Sequence, residues 1–440
     1  MTAEIDFDSI KTTKGRLLQT IHETAKWGAK GVWGPESTQT GVCRLALSDL
    51  DKLVRDWFVE EMKSLGCTIK IDEVGNTFAI YPGKNNEAKP TGVGSHLDTQ
   101  PSGGRYDGIL GVLSAVEIIR TLKDNDYVPN FPIAVINWTN EEGARFPISM
   151  VASGVWAEQI PLETCLNLES IDDDQPKKFG DELKRIGYNG DLKASYKENP
   201  LACHFEIHIE QGPILENEKK KIGVVVGAQA FEWNTVIVTG RASHAGTTPM
   251  NTRSDAMLNA SKIIIMAIET AEKYGGLATI GTIHLEPMSV NVIPNIVKFS
   301  LDVRHVEDSV VEKIMSEIKT KAAEISEKGI GSPHAKPLSV KFENLTTSKA
   351  IKFNENNIAT VRKAALSLFD SSEIKEITSG AGHDSCYTSK QVPTSMIFIP
   401  SKDGLSHTPE EYSSPEDVEN GFQVLLRTIL LYDKFRADNE

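Results

Sequence analysis

The chain has 440 residues, 40% of them hydrophobic and 25% charged, with a formal net charge of −14 at pH 7. This is the composition of an ordinary globular protein of roughly two to three domains, and its negative field excludes nucleic acid and an anionic membrane surface as natural partners while leaving room for a local basic pocket. The five cysteines, Cys43, Cys67, Cys165, Cys203 and Cys386, are scattered and never spaced C-x-x-C, which argues against a disulfide scaffold or a thiolate metal site and for a reducing, cytoplasmic setting. MTAEIDFDSI is too acidic for a secretory leader, and no apolar run approaches the roughly 18 residues that span a bilayer.

In chain order, NTFAIYPG (76–83) and TGVGSHL (91–97) read as strands. ILGVLSAVEIIRTLK (109–123) reads as a helix with Ile109, Val112, Leu113, Val116 and Ile119 on one face, and FPIAVINWT (131–139) as a buried strand. This alternation predicts a three-layer α/β domain with a mixed sheet. Residues 165–200 read as a polar excursion of loops and short helices, and HFEIHIEQG (204–212) as a further strand.

The texture changes after about residue 230. Three period-two strands (231–242, 276–287 and 295–306) and two helices (254–275 and 308–326) predict a smaller α+β domain, an antiparallel sheet with two helices. EKGIGSPHAKP (327–337) reads as its exit, and TSMIFIPS with PEDVENGFQVLLRTILLYDKF returns to the first texture. The expected layout is a catalytic domain of residues 1–229 and 346–440 interrupted by an inserted lid and dimerisation domain of residues 230–345.

Chemistry-bearing residues gather at the ends of the predicted strands. GSHLDTQPSGGRYDG carries His96, Asp98 and Asp107; INWTNEEGARF carries the adjacent Glu141 and Glu142; His208 lies in HFEIHIEQG and His407 in DGLSHTPEE. Each has an ordinary reading: Asp107 as a helix N-cap, the Glu pair as surface charge, His208 on the solvated face of a strand, Arg304 as an exposed strand cation. Two like charges after a buried strand repel unless a cation or proton neutralises them. Five imidazole and carboxylate donors without sulfur suit Zn²⁺ or Mn²⁺, and five exceed one tetrahedral zinc unless a carboxylate bridges two ions.

Taken in order, GSHLDTQPSGGRYDG, NEEGARF, HIEQGPILE, GRASHAGTTPM, SVNVIPN and SGAGHDS resemble the dinuclear-metal amidohydrolases of the aminoacylase and carboxypeptidase superfamily. Within it they are similar to the branch of N-carbamoyl-amino-acid hydrolases and allantoate amidohydrolases, and most of all to the fungal β-alanine synthases (β-ureidopropionases). The resemblance runs from about residue 15 to 435. It implies two divalent metal ions, zinc or manganese, held by His96, Asp107, Glu142, His208 and His407, with Asp107 bridging. It implies that Asp98 accepts a hydrogen bond from His96 and that Glu141 is the general base. It places substrate at Gln211, Asn291, Arg304, Gly382 and His383, and makes His244 an oxyanion donor to the partner subunit's active site, so that a homodimer through the inserted domain is required. The expected activity is hydrolysis of a small ureido acid, first N-carbamoyl-β-alanine to β-alanine, CO₂ and ammonia in pyrimidine catabolism; allantoate, ureidoglycolate and N-carbamoyl-L-amino acids are the alternatives. An aminoacylase or dipeptidase, an inactive relative and a thiol hydrolase using Cys386 beside His383 rank lower.

Overall fold

Four segments buried along their whole length pair side by side as parallel strands, in the order Thr394–Ile399, Cys203–Ile209, Thr91–His96, Ile133–Trp138. They sit at the centre of a nine-stranded mixed sheet. Thr77–Tyr81 and Thr68–Ile71 extend it antiparallel beyond Ile133–Trp138, and Ile222–Ala228 runs antiparallel to Thr394–Ile399. The computed structural model describes residues 7–171, 173–328 and 337–440.

The helix Ile109–Asp124 crosses over between two of the parallel strands and packs against the sheet. Its burial goes beyond the single face read from the sequence, with Leu110, Ala115 and Ile118 also inside. The closing helix Pro415–Asn439 starts at a Ser414 cap, whose hydroxyl accepts the Asp417 amide, with Pro415 in its first turn, where the missing N–H costs nothing. Residues 165–200 fold into the short helix Phe179–Ile186 and turns. They are not a mere excursion: Phe179, Leu183, Ile186 and Tyr188 build a core with Phe146, Val151 and Val155, just beyond the Glu141–Glu142 segment. Arg145 ties the two parts together through Glu182 at 2.8 Å.

The chain divides into two compact units, one running to Gly227 and resuming at Lys352, the other Ala228–Ile351. In the second, Ile296–His305 pairs antiparallel with Ala230–Thr239 and with Ile283–Glu286. Val236, Val238, Phe299, Leu301 and Val303 pack against Ile263 and Ala267 of one helix and Ile314 and Ile318 of the other. The expected exit at 327–337 falls partly on residues outside those described. The chain does not leave there, because Ser339–Ser348 adds another strand on Ala230–Thr239. The expected boundaries of 230 and 345 therefore widen to 228 and 351. The strand escaped the sequence because SVKFENLTTS is mostly exposed and offers little period-two burial.

Candidate metal centre

Parallel strands deliver their carboxyl ends to one edge of a sheet, where ligand sites form. His96 is the last residue of its strand and His208 the penultimate residue of Cys203–Ile209. Glu141 and Glu142 follow Trp138, and His407 lies beyond Ile399. The strand carrying His208 is buried on both faces, so the solvated-face reading of its polar residues is wrong. Asp107 is not an N-cap either. Gly108 caps the helix without a side-chain bond, and the Asp107 carboxylate turns to the histidines.

Asp107 is the hub. Its Oδ1 lies 3.1 Å from His208 Nε2 and 3.5 Å from His96 Nε2, and its Oδ2 lies 3.3 Å from His407 Nε2. Glu142 Oε2 is 3.4 Å from the same His407 nitrogen. Asp107 belongs to two donor groups, His96–Asp107–His208 and Asp107–Glu142–His407, each with its donor atoms within 4.8 Å of one another, while a third group, Glu206–His208–His383, meets the first at His208. The first two share only Asp107. Glu141 belongs to none of these groups and stands with Oε2 3.6 Å from His96 Nε2.

The neighbours aim these donors. His96 Nδ1 lies 2.9 Å from the main-chain oxygen of Asp98, whereas the Asp98 carboxylate is 3.9 Å away. The expected carboxylate–imidazole bond is thus replaced by a carbonyl–imidazole bond, which fixes the same tautomer. The Asp98 carboxylate serves the neighbouring turn instead: Oδ1 accepts the Glu141 amide and Oδ2 the Glu142 amide, both at 3.3 Å. That clamp, with Asn140 and Gly143 at φ 56° and 64°, supplies the kink that a Glu-Glu pair needs to send its side chains to one place. His208 Nδ1 faces the Ile209 carbonyl at 2.9 Å. Gly108, at φ 67°, lies so close to the His96 ring that no other residue fits (a Cβ would fall 2.3 Å from Nε2).

Electrostatics mark the same atoms. Burial opposes ionisation of Asp107, yet hydrogen bonds from His208 and His407 and the neighbouring His96 ring hold it well below the usual carboxylate range. Burial lifts Glu141 well above that range and Glu142 to about 7. His96 Nε2 is buried without a hydrogen-bond partner among the described residues. An orphan imidazole nitrogen beside crowded carboxylates fits a cation, and the nitrogen and oxygen donor set is consistent with divalent metal ions.

Among the expected substrate residues, Gln211 adjoins the hub, its Nε2 donating to Asp107 Oδ2 at 2.8 Å. His383 stacks edge-on to His208 with ring centroids 4.6 Å apart and has Nε2 2.9 Å from Ser379 Oγ. Gly382 lies against the Met150 side chain. His244, Asn291 and Arg304 belong to the second unit. There His244 pairs with Val292 on a short ladder, and next to it the Ala245 amide donates to the Asn291 carbonyl at 2.9 Å. His244 Nδ1 accepts the Gly246 amide at 3.0 Å, so its proton sits on Nε2, which becomes a donor. Arg304 pairs with Asp302 on its own strand at 2.8 Å and lies over Phe231.

Sequence reasoning missed Gln100, Ser406 and Glu411. Gln100 donates to both Glu142 oxygens, through its backbone N–H at 3.1 Å and Nε2 at 2.7 Å. Ser406 Oγ lies 3.0 Å from Asp107 Oδ2, and Glu411 Oε1 accepts the Tyr106 and Asp107 amides. All three fall within the motifs quoted for His96 and His407 or beside them, but no pattern rule distinguishes them from loop polarity.

A donor cluster at the carboxyl edge of a mixed sheet, with one carboxylate held apart from it, fits metal-assisted chemistry, and the family match and named relatives make the class a hydrolase. The chain belongs to the peptidase family M20/M25/M40, whose model matches residues 92–431. It is 38% identical over 418 residues to an N-carbamoyl-L-amino-acid amidohydrolase of Rhizobium meliloti, an alignment covering 94% of this chain and 95% of that one. It is 34% identical to a ureidoglycolate hydrolase of Oryza sativa subsp. japonica, covering 89% and 80%. An amidase of the hydantoinase/carbamoylase family from Burkholderia multivorans superposes with a TM-score of 0.86 at 43% identity, covering 96% and 98%. Among the described residues no helix is long and apolar enough to cross a membrane.

Proposed function

We propose that this enzyme cleaves the ureido C–N bond of a small N-carbamoyl acid, with two divalent cations held by His96 and His208 on one side of Asp107 and by Glu142 and His407 on the other. The observation that carries the reading is the sharing of Asp107 between two donor groups while Glu141 stays outside both. Bound divalent cations supply Lewis-acid polarisation of the ureido carbonyl and ease deprotonation of water. Glu141 accepts the proton of the attacking water at its carboxylate and returns it to the departing nitrogen. Its position outside both donor groups leaves that carboxylate free for both halves of the transfer. The cleaved carbamic acid decomposes to CO₂ and ammonia, leaving the amino acid.

The second unit supplies the anion contacts. Arg304 and Asn291 take the substrate carboxylate, for which a guanidinium offers two parallel bonds. His244, with its proton on Nε2, donates to the developing oxyanion in the partner subunit of a homodimer. Gln211, Gly382 and His383 line the reacting end.

The names of two relatives support N-carbamoyl-L-amino acids and ureidoglycolate as substrates to test beside N-carbamoyl-β-alanine. One methylene in the pocket discriminates by about 1–3 kcal/mol, so a panel of these acids with zinc- and manganese-loaded protein, followed by ammonia release, ranks them. Ammonia from at least one ureido acid supports the reading, and none from any of them rejects it.

A further inference from the structure

Glu411 is 2% exposed, and hydrogen bonds, with no ion pair among the described residues, hold its carboxylate. A carboxylate buried without a cation is expensive unless hydrogen bonds hold it. Its bonds all lead to one place. Oε1 accepts the backbone N–H groups of Tyr106 and Asp107, both at 3.0 Å. Oε2 lies 3.0 Å from Ser406 Oγ, and that hydroxyl lies 3.0 Å from Asp107 Oδ2. Glu411 therefore holds Asp107 at the backbone, and the single proton of the Ser406 hydroxyl, donated to one carboxylate at a time, links the two side chains. Glu411 also joins the loop of Asp107 to the loop of His407. The glycine pair in PSGGRYDG makes room for it: a Cβ on Gly104 would collide with the Glu411 carboxylate.

We propose that Glu411 is a positioning residue that sets the orientation of Asp107 and, with it, the affinity of the centre for both metal ions. This rests on the reading that Asp107 is shared between the ions. Glu411 makes no direct hydrogen bond to the donor nitrogen atoms or to the substrate contacts assigned above, so its main route to the centre is Asp107, with a side branch through Ser406 to Gln211. Because one carboxylate serves both ions, misplacing it weakens them together instead of one before the other. Partners of metal ligands are commonly worth 10- to 100-fold in affinity.

The test starts from zinc-loaded protein and measures zinc per chain against a competing chelator, with Glu411→Ala, Glu411→Gln, Ser406→Ala and Asp107→Asn in parallel. Glu411→Ala is expected to weaken both zinc ions by about 10- to 100-fold and to lower kcat with KM within about twofold. Glu411→Gln keeps an oxygen for the two amides and an N–H₂ for Ser406, and is expected to restore zinc affinity to within about threefold of the parent. Ser406→Ala, which removes the hydroxyl linking the two side chains, is expected to fall between them and gives the answer if Glu411→Ala does not fold. Wild-type zinc affinity in Glu411→Ala or Ser406→Ala, while Asp107→Asn loses zinc, overturns the proposal alone. Undiminished zinc in Asp107→Asn overturns the shared-carboxylate reading itself. A lower melting temperature in Glu411→Ala with unchanged zinc affinity also counts against the proposal.

Discussion

Gly108→Ala is the sharpest single perturbation of the centre, because it adds one methyl group and no charge. The new Cβ would stand 2.3 Å from His96 Nε2, where ordinary van der Waals contact begins at 3.4 Å, so the ring must retreat by about 1.1 Å. His96 cannot swing freely, being 1% exposed and tied through Nδ1 to the Asp98 carbonyl. The left-handed backbone at φ 67° adds about 1–2 kcal/mol for any residue with a Cβ, and overpacking about 1–3 kcal/mol more. Unfolding in urea is therefore expected to show a loss of roughly 2–5 kcal/mol. A displacement of about 1 Å in a catalytic group is expected to lower kcat by at least about 100-fold. The assay pairs urea unfolding with zinc stoichiometry and turnover on an N-carbamoyl-L-amino acid. A variant with parental stability, full zinc and parental turnover would refute the assignment of His96 as a donor pinned by this contact.

Other substitutions separate the roles. Glu141→Gln is expected to keep its metal ions and lose about 10²- to 10⁴-fold in kcat; loss of metal would make Glu141 a ligand. Asp98→Asn turns an N–H₂ toward one of the two Glu amides and is expected to cost about 1–3 kcal/mol in stability, measured by urea unfolding, which an unchanged midpoint contradicts. His244→Ala is expected to stay dimeric and inactive, and mixing it with Glu141→Gln subunits to restore partial turnover; no recovery in the mixed dimers counts against action across subunits. His204 gives a pH prediction away from the donors. Burial holds its pKa down to about 3, whereas the unfolded chain has about 6.5. Both states are neutral above pH 6.5; below it only the unfolded chain gains the proton. Stability is thus expected to fall by about 1.4 kcal/mol per pH unit from 6.5 downward. His204→Gln, which can still accept from Trp138 Nε1, should flatten that slope in urea titrations at pH 6.5 and 5; equal slopes contradict it.

Much of the site was legible because its donors ride on the ends of apolar strands. Glu141, Glu142 and His407 follow apolar runs that belong in a sheet interior, His96 ends the small-residue strand TGVGSH, and parallel pairing brings these ends together. His208 was legible for the opposite reason, as a polar residue inside such a run. Residues that act through hydrogen bonds were not legible. Asp98 was linked to His96 through the wrong oxygen, because spacing alone does not separate a carboxylate from its own carbonyl. Glu411 reaches Asp107 from 304 positions along the chain, and no local period records that. The edge strand Ser339–Ser348 was lost for want of burial.

Anomalous scattering from zinc-loaded crystals tests the shared carboxylate most directly. Two zinc peaks about 3.5–4 Å apart, with Asp107 between them and Glu141 bound to neither, are the expected result. A single peak, or a pair ligated by other side chains, would contradict it.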